Sequence, residues 1–444
     1  MGGLAFTKGP TPLHTPRMPR VIYEHVRDNC HTLLRELFVV VTTPIEGPGK
    51  SDFGDIDIFV TMGKHEYFGD SFTPRMPGFQ QGGTPFEAIQ ALLGAERKIQ
   101  ERDSVAMFAI PWPKILPYGI ADVADAEGDQ PRFIQVDVHI CPSLQNLEWF
   151  LFKHAHGDLW NLLGSTIRPY GLTVDEVGMY LRIPEIENVN RNKAKILLTS
   201  DPCQVLDFLG LKYEGSAWEV SFANMEEVFE YAATSRFFWV KPHTEDDDIA
   251  AHGGNQEVGG GYRGKNLKSN DRQRMRQRPL FRKWIEEFLP KCQDQNRFAN
   301  RGLSREDTRE EAFRQFGVRR VYEDRILEFR KQRQRESLWR DVIKTAIPTD
   351  IQPQFRGCVA SAMKKIIMED DTSFGVRPET PLKDESGLYL EDTVRHFVKG
   401  NWKEVGRVAW ETNQIRLQES VAAKGNKPTF SGNEKGNLKD ELLE

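Results

Sequence analysis

Paired cysteines are missing from this sequence. Five cysteines, Cys30, Cys141, Cys203, Cys292 and Cys358, stand far apart among 444 residues, with no Cys-x-x-Cys pair and no adjoining histidine group. That spacing speaks against a zinc cluster and points to free thiols in a reducing compartment. Long apolar runs are missing too: none approaches the roughly 20 residues that a membrane span needs, and no signal-peptide apolar region follows Met1. The expectation is an intracellular protein of cytoplasm or nucleus with no membrane partner. Strong charge of either sign is also lacking. A net charge of −5 excludes a globally basic coat, so any site for a polyanion must be local. Two apparent address signals fail as well. Met1-Gly2 has Phe6 where a myristoylation start wants Ser or Thr, and Lys439-Asp440-Glu441-Leu442 is followed by Leu443-Glu444.

What is present is the composition of a globular protein, with 39% hydrophobic and 28% charged residues over a length that exceeds what one core supports. Apolar residues at helical spacing predict a helix from Arg20 to Leu37, running into a β-branched strand at Phe38 to Thr42. Further helices are predicted over Pro85 to Gln100, Leu147 to Phe152, Leu159 to Tyr170 and Pro202 to Leu209, the last opening on Asp201-Pro202. Strands are predicted at Asp55 to Val60, Val105 to Ile110 and Phe133 to Cys141, and the stretch from Gly63 to Gln80 is turn-rich. Composition shifts divide the chain into residues 1–150, a helical domain over 151–244, a flexible basic linker or loop over 245–278, a mainly helical region over 279–423, and a disordered tail over 424–444.

The chemistry-bearing pattern is Gly54-Asp55-Ile56-Asp57-Ile58-Phe59-Val60, followed by Phe133-Ile134-Gln135-Val136-Asp137-Val138-His139. In a strand successive side chains alternate faces, so Asp55 and Asp57 project together while Ile56 and Ile58 project oppositely. Paired carboxylates repel unless a cation neutralises them or one takes a proton. A third carboxylate at Asp137 makes an all-oxygen donor set of the kind hard ions such as Mg²⁺ or Mn²⁺ prefer. Upstream lies a turn-forming stretch, Glu46 to Gly54, containing Gly47, Gly49, Lys50 and Ser51. Gly49-Lys50-Ser51 is not a phosphate-binding Walker loop, because the leading glycine of that motif would fall on Pro44.

These residues together resemble the polymerase-beta-type nucleotidyltransferase superfamily, whose signature is a Gly-rich turn, a D-h-D strand and a third acidic strand. The match is closest to a viral and fungal-looking branch that opens on Gly-Gly-x-Ala-Phe, here Gly2-Gly3-Leu4-Ala5-Phe6, with Gln-Val-Asp on the third strand. It extends through Gly157 to Leu163 and Leu198 to Pro202, and so covers roughly residues 2–240. The resemblance implies an α+β fold, a nucleotidyltransferase mixed β-sheet with flanking helices, whose cleft the helical domain closes on one side. It implies an enzyme that moves a nucleotide from an NTP such as ATP to an acceptor hydroxyl, on RNA or protein, with release of pyrophosphate. Asp55 and Asp57 would hold the triphosphate-bound Mg²⁺ (or Mn²⁺) and Asp137 the second ion. Gly47 and Gly49 would bring backbone amides to the phosphates, with Lys50 or Ser51 adding a donor. On the helix Leu159 to Tyr170, Ser165 could touch the nucleotide sugar or phosphate, although a plain surface serine is the simpler reading. Pro48 departs from the family turn, where Gly-Ser or Gly-Gly is usual. The alternative is therefore a catalytically inactive nucleotidyltransferase-fold protein that acts as a nucleic-acid-binding module.

Other residues carry weaker signals. His139 shares the face of Asp137 and could polarise an acceptor, although a histidine satisfied by hydrogen bonds is the simpler reading. His154 and His156 are expected to face solvent or cap a helix. Basic residues cluster from Arg263 to Arg282 near Tyr262, Phe281 and Trp284, a composition suited to RNA. The later alternation of Arg and Glu reads as a solvated helix face.

Overall fold

The computed structural model describes residues 3–64, 84–114, 130–215, 217–242 and 269–425. The turn-rich stretch after Lys64, the linker glycines Gly259-Gly260-Gly261 with Tyr262 and Arg263, and the tail after Gly425 lie outside the described residues. The chain divides into two compact units, Met1–Arg319 and Arg320–Glu444, so the expected boundaries at 150 and 244 fall inside the first.

The first unit is mixed α/β around a five-stranded mixed sheet. Its strands are β2 (Phe38–Thr42), β4 (Asp55–Gly63), β5 (Arg97–Arg102), β6 (Val105–Pro111) and β7 (Phe133–Ile140), in spatial order β2-β4-β7-β6-β5. β4 and β7 run parallel, while β2, β6 and β5 pair antiparallel with their neighbours. A two-residue β1 (Met18–Pro19) pairs with β3 (Asp52–Phe53) beside this sheet. Alternation decides what each face meets. Ile56, Ile58, Val60, Ile134, Val136 and Val138 point into one core, which the helices Arg20–Leu34 and Pro85–Leu93 cover with Ile22, Val26, Leu34, Phe86 and Ile89. Burying each such side chain stabilises the fold by about 2 kcal/mol.

The helix expected to reach Gln100 stops at Leu93. Its remaining backbone is claimed by β6, which pairs Arg97 with Ala109 and Ile99 with Met107 across the turn at Asp103-Ser104. Beyond residue 151 the chain is not purely helical. Short strands β8 (Leu172–Val174), β9 (Met179–Arg182) and β10 (Lys195–Thr199) form an antiparallel sheet in order β10-β9-β8. The helix Pro202–Leu209 begins as predicted, Asp201 accepting the backbone N–H groups of Cys203 and Gln204. The linker expected to end at residue 278 gives way earlier to a helix, Ser269–Gln277. Asp271 is buried and bridges Arg168 at 3.1 Å and Arg274 at 2.7 Å, which anchors that helix. Phe281 and Trp284 are also buried, Trp284 stacking on Phe288 and meeting Phe229 and Phe238. These aromatics belong to a core, a correction to their expected place beside nucleic acid.

The second unit is helical. Leu338–Ile343, Pro353–Glu369 and Glu391–Gly425 share a core of Val342, Ile343, Val359, Met363, Ile366, Val394 and Val398. Among the described residues no helix is long and apolar enough to cross a membrane.

Candidate functional site

The face of the five-stranded sheet opposite its main core carries the acidic residues. Across the parallel pair, Asp55 is the register partner of Gln135, Asp57 of Asp137, and Phe59 of His139. Register partners project to the same side of a sheet, so Asp55, Asp57, Gln135 and Asp137 form a polar square at one end of this face. The other end is apolar. Phe59 stacks on His139 at 4.6 Å and packs with Phe150, Leu147 and Cys141, under the helix Leu144–His154. One face thus passes from oxygen ligands to packed rings within two residues along each strand.

Half-burial and mutual repulsion set the electrostatics. Burial foremost, and then the Asp57 carboxylate, pushes Asp137 up to about 8. Burial and Asp55 raise Asp57, against the lowering effect of His154 and Lys50. Asp55 is raised by burial, with Lys50 opposing. Gln135 Nε2 donates to Asp137 Oδ1 at 2.8 Å and favours its ionised form. His139 is pushed down to about 4 by burial and by His154, so it is a neutral stacked ring near neutral pH.

The donor set suits a hard divalent cation, being all oxygen, with carboxyl groups that retain protons a cation would displace. Among the described residues no group of three or more His, Cys, Asp or Glu side chains is drawn together as a preformed metal nest. The Gln135 amide engages Asp137 Oδ1 along its own strand.

The glycine turn behaves differently at its two glycines. Gly47 is buried with its backbone against Gly157, where an added Cβ would stand 3.1 Å from the Gly47 Cα, and His156 N–H donates to Ile45 O at 2.8 Å. Its smallness serves this close approach. Gly49 is exposed, with nothing near the place of a Cβ. Lys50 Nζ sits 2.6 Å from Glu46 Oε2 and also over the Phe53 ring, while Ser51 is exposed with its hydroxyl 3.4 Å from Asp52.

Ser165 requires a correction. It is 3% exposed and its hydroxyl donates to Leu162 O at 2.7 Å, inside its own helix Leu159–Ile167, so it is not a surface serine and its hydroxyl is already engaged. His156 departs from its solvent-facing expectation too. It is fully buried between Trp218 and Phe222, with Nε2 2.9 Å from Trp218 O. His154 is partly exposed, 3.9 Å from Glu176.

Sequence reasoning missed two participants. Glu46 lies close enough to raise Asp57 and accepts hydrogen bonds from Tyr23 and Lys50. Gln135 had a legible signal, standing two residues before Asp137 on the same strand face, but the acceptor that fixes its amide was not legible. No model of a known protein family matches the sequence, and no curated protein is similar enough to it to count as a relative.

Proposed function

We propose that the first unit is a nucleotidyltransferase that transfers a nucleotide from an NTP to an acceptor hydroxyl, on RNA or protein, in a reaction dependent on Mg²⁺ or Mn²⁺. The observation that supports this reading most is the register of Asp57 with Asp137 beside Asp55 on one half-buried face. Carboxylates so placed carry a free-energy cost that a bound cation relieves. Asp55, Asp57 and Asp137 are the residues that would hold it, and the cation would supply charge stabilisation to the entering and leaving oxygens.

The chain's own contribution follows from the site. In the transfer the acceptor oxygen bonds to the α-phosphorus, the bond from that phosphorus to the α,β-bridging oxygen breaks, and pyrophosphate leaves with the electron pair. The acceptor proton passes to the Asp137 oxygen that Gln135 does not engage. With a cation bound, that carboxylate would be ionised and able to take the proton. Gly49 and the exposed Lys50–Ser51 turn offer the phosphate end of the NTP backbone amides and a cation.

The test is incubation with each α-labelled NTP, Mg²⁺ and either RNA or protein acceptors, comparing the unaltered chain with Asp57→Asn. Label should enter one acceptor class and vanish with the substitution while the fold persists, because Asn keeps the size but loses a ligand charge. Full transfer by a folded Asp57→Asn protein would remove the reading. The inactive, nucleic-acid-binding alternative draws support from the lack of a preformed ligand nest among the described residues. It predicts RNA binding with no Mg²⁺-dependent stabilisation by NTPs.

A further inference from the structure

The acidic face is laced to a segment far away in sequence. The Gly3 backbone packs on Gly54, beside Asp55, near enough to favour the ionised Asp55 carboxylate, and Ala5 N–H donates to Gln135 Oε1 at 3.0 Å. The same Gln135 side chain, 4% exposed, donates from Nε2 to Asp137 Oδ1. A backbone N–H can only donate, so Ala5 fixes which end of the Gln135 amide is the carbonyl and thereby aims its NH₂ at Asp137. The segment is itself held. Phe6 is buried, Leu13 N–H donates to Phe6 O at 2.9 Å, Thr15 Oγ1 donates to Gly3 O at 2.7 Å, and Phe133 N–H donates to His14 O at 2.9 Å. Gly3 is obligatory on two counts. Its φ is +84°, and a Cβ would stand 2.0 Å from Gly54 O, immediately before Asp55.

We propose that Gly3–Phe6 is a positioning strap, orienting Asp55 through the Gly3 backbone and Asp137 through Gln135 so that a divalent cation meets carboxylates already turned for it. This rests on the metal-site reading above. Gln135 and Gly3 are positioning residues, acting through the carboxylates rather than on the substrate. Outer partners of this kind tune affinity by about 10- to 100-fold. The strap also gives Gly3, Ala5 and Phe6 a physical role: Gly3 where the backbone meets Gly54, Ala5 as the donor to Gln135, and Phe6 as the anchor.

The experiment uses the full chain and two variants, Gln135→Leu and Gly3→Ala, with Mn²⁺ as the probe. Mn²⁺ binding is read by electron paramagnetic resonance, Ala5 amide protection by hydrogen exchange, and folding by thermal melts. Both variants should melt cooperatively, bind Mn²⁺ at least about tenfold more weakly, and exchange the Ala5 amide faster. Gly3→Ala shifts the strap without touching Gln135, so agreement between the two variants assigns the effect to the strap. Folded variants with faster Ala5 exchange but unchanged Mn²⁺ affinity would overturn the positioning role. Unchanged exchange at Ala5 would overturn the tether itself. If the unaltered chain binds no Mn²⁺, the metal-site reading fails, and the inference falls with it by a separately recognisable result.

Discussion

Replacing Asp137 with Asn should stabilise the metal-free protein while destroying its proposed activity. The reason lies in where the carboxyl sits. Its ordinary value of 3.8 is raised to about 8, chiefly by burial and next by Asp57. A folded-state value above the unfolded one gives stability that is whole below the unfolded value and drains away as pH rises through the folded value. The wild-type chain should therefore lose stability from about pH 4 to about pH 8, where Asp137 becomes a charge beside two other carboxylates. At full weight the difference corresponds to about 6 kcal/mol. The side chain is only partly shielded from solvent, and screening reduces this to roughly 2 kcal/mol. Asn has the same shape, is never charged, and can still accept from Gln135. In urea melts with a chelator present, Asp137→Asn should match the wild type at about pH 4.5 and exceed it by roughly 2 kcal/mol at about pH 9. Added Mg²⁺ should reverse the order, stabilising only the wild type. A difference independent of pH, or a variant less stable at high pH, would show that Asp137 carries no such strain.

Three further outcomes follow from the surroundings of the site. Ser165→Ala should lower stability by about 1 kcal/mol, the worth of its bond to Leu162, and leave the KM for NTP unchanged; a raised KM would return Ser165 to the nucleotide. Gly157→Ala should destabilise by about 1–2 kcal/mol, since its φ is +63° and its Cβ would press on Gly47, and NTP affinity should fall as the glycine turn is displaced. Unchanged affinity in the folded variant would separate that turn from nucleotide binding. Asp271→Asn should cost about 3 kcal/mol in a thermal or urea melt by leaving Arg168 and Arg274 without their buried partner. A loss below about 0.5 kcal/mol would make the pair a surface contact in effect.

Local pattern was enough for the parts of this protein that depend on neighbours in sequence. The alternation at 55–60 and 133–139 placed the carboxylates on one face of their strands and the Ile and Val residues on the other, because a strand reverses its side chains at every residue. The start of the Pro202–Leu209 helix was legible for a similar reason: a cap acts within three residues. What the sequence left open was everything set by partners far along the chain. Residues 97–102 carry a helical continuation, yet form a strand because β6 presents a ladder for them. His156 is a polar side chain in a turn, and only the packing of Trp218 and Phe222, far along the chain, turned it inward. The acidic site itself divides in the same way. That Asp55 and Asp57 stand together is a property of one strand, whereas their meeting with Asp137, Gln135 and the Gly3–Phe6 strap required β7 to pair parallel with β4. Backbone hydrogen bonding is the same for every residue, so the ladder alone does not choose its neighbour. The burial of both apolar faces under the helices Arg20–Leu34 and Pro85–Leu93 made that choice.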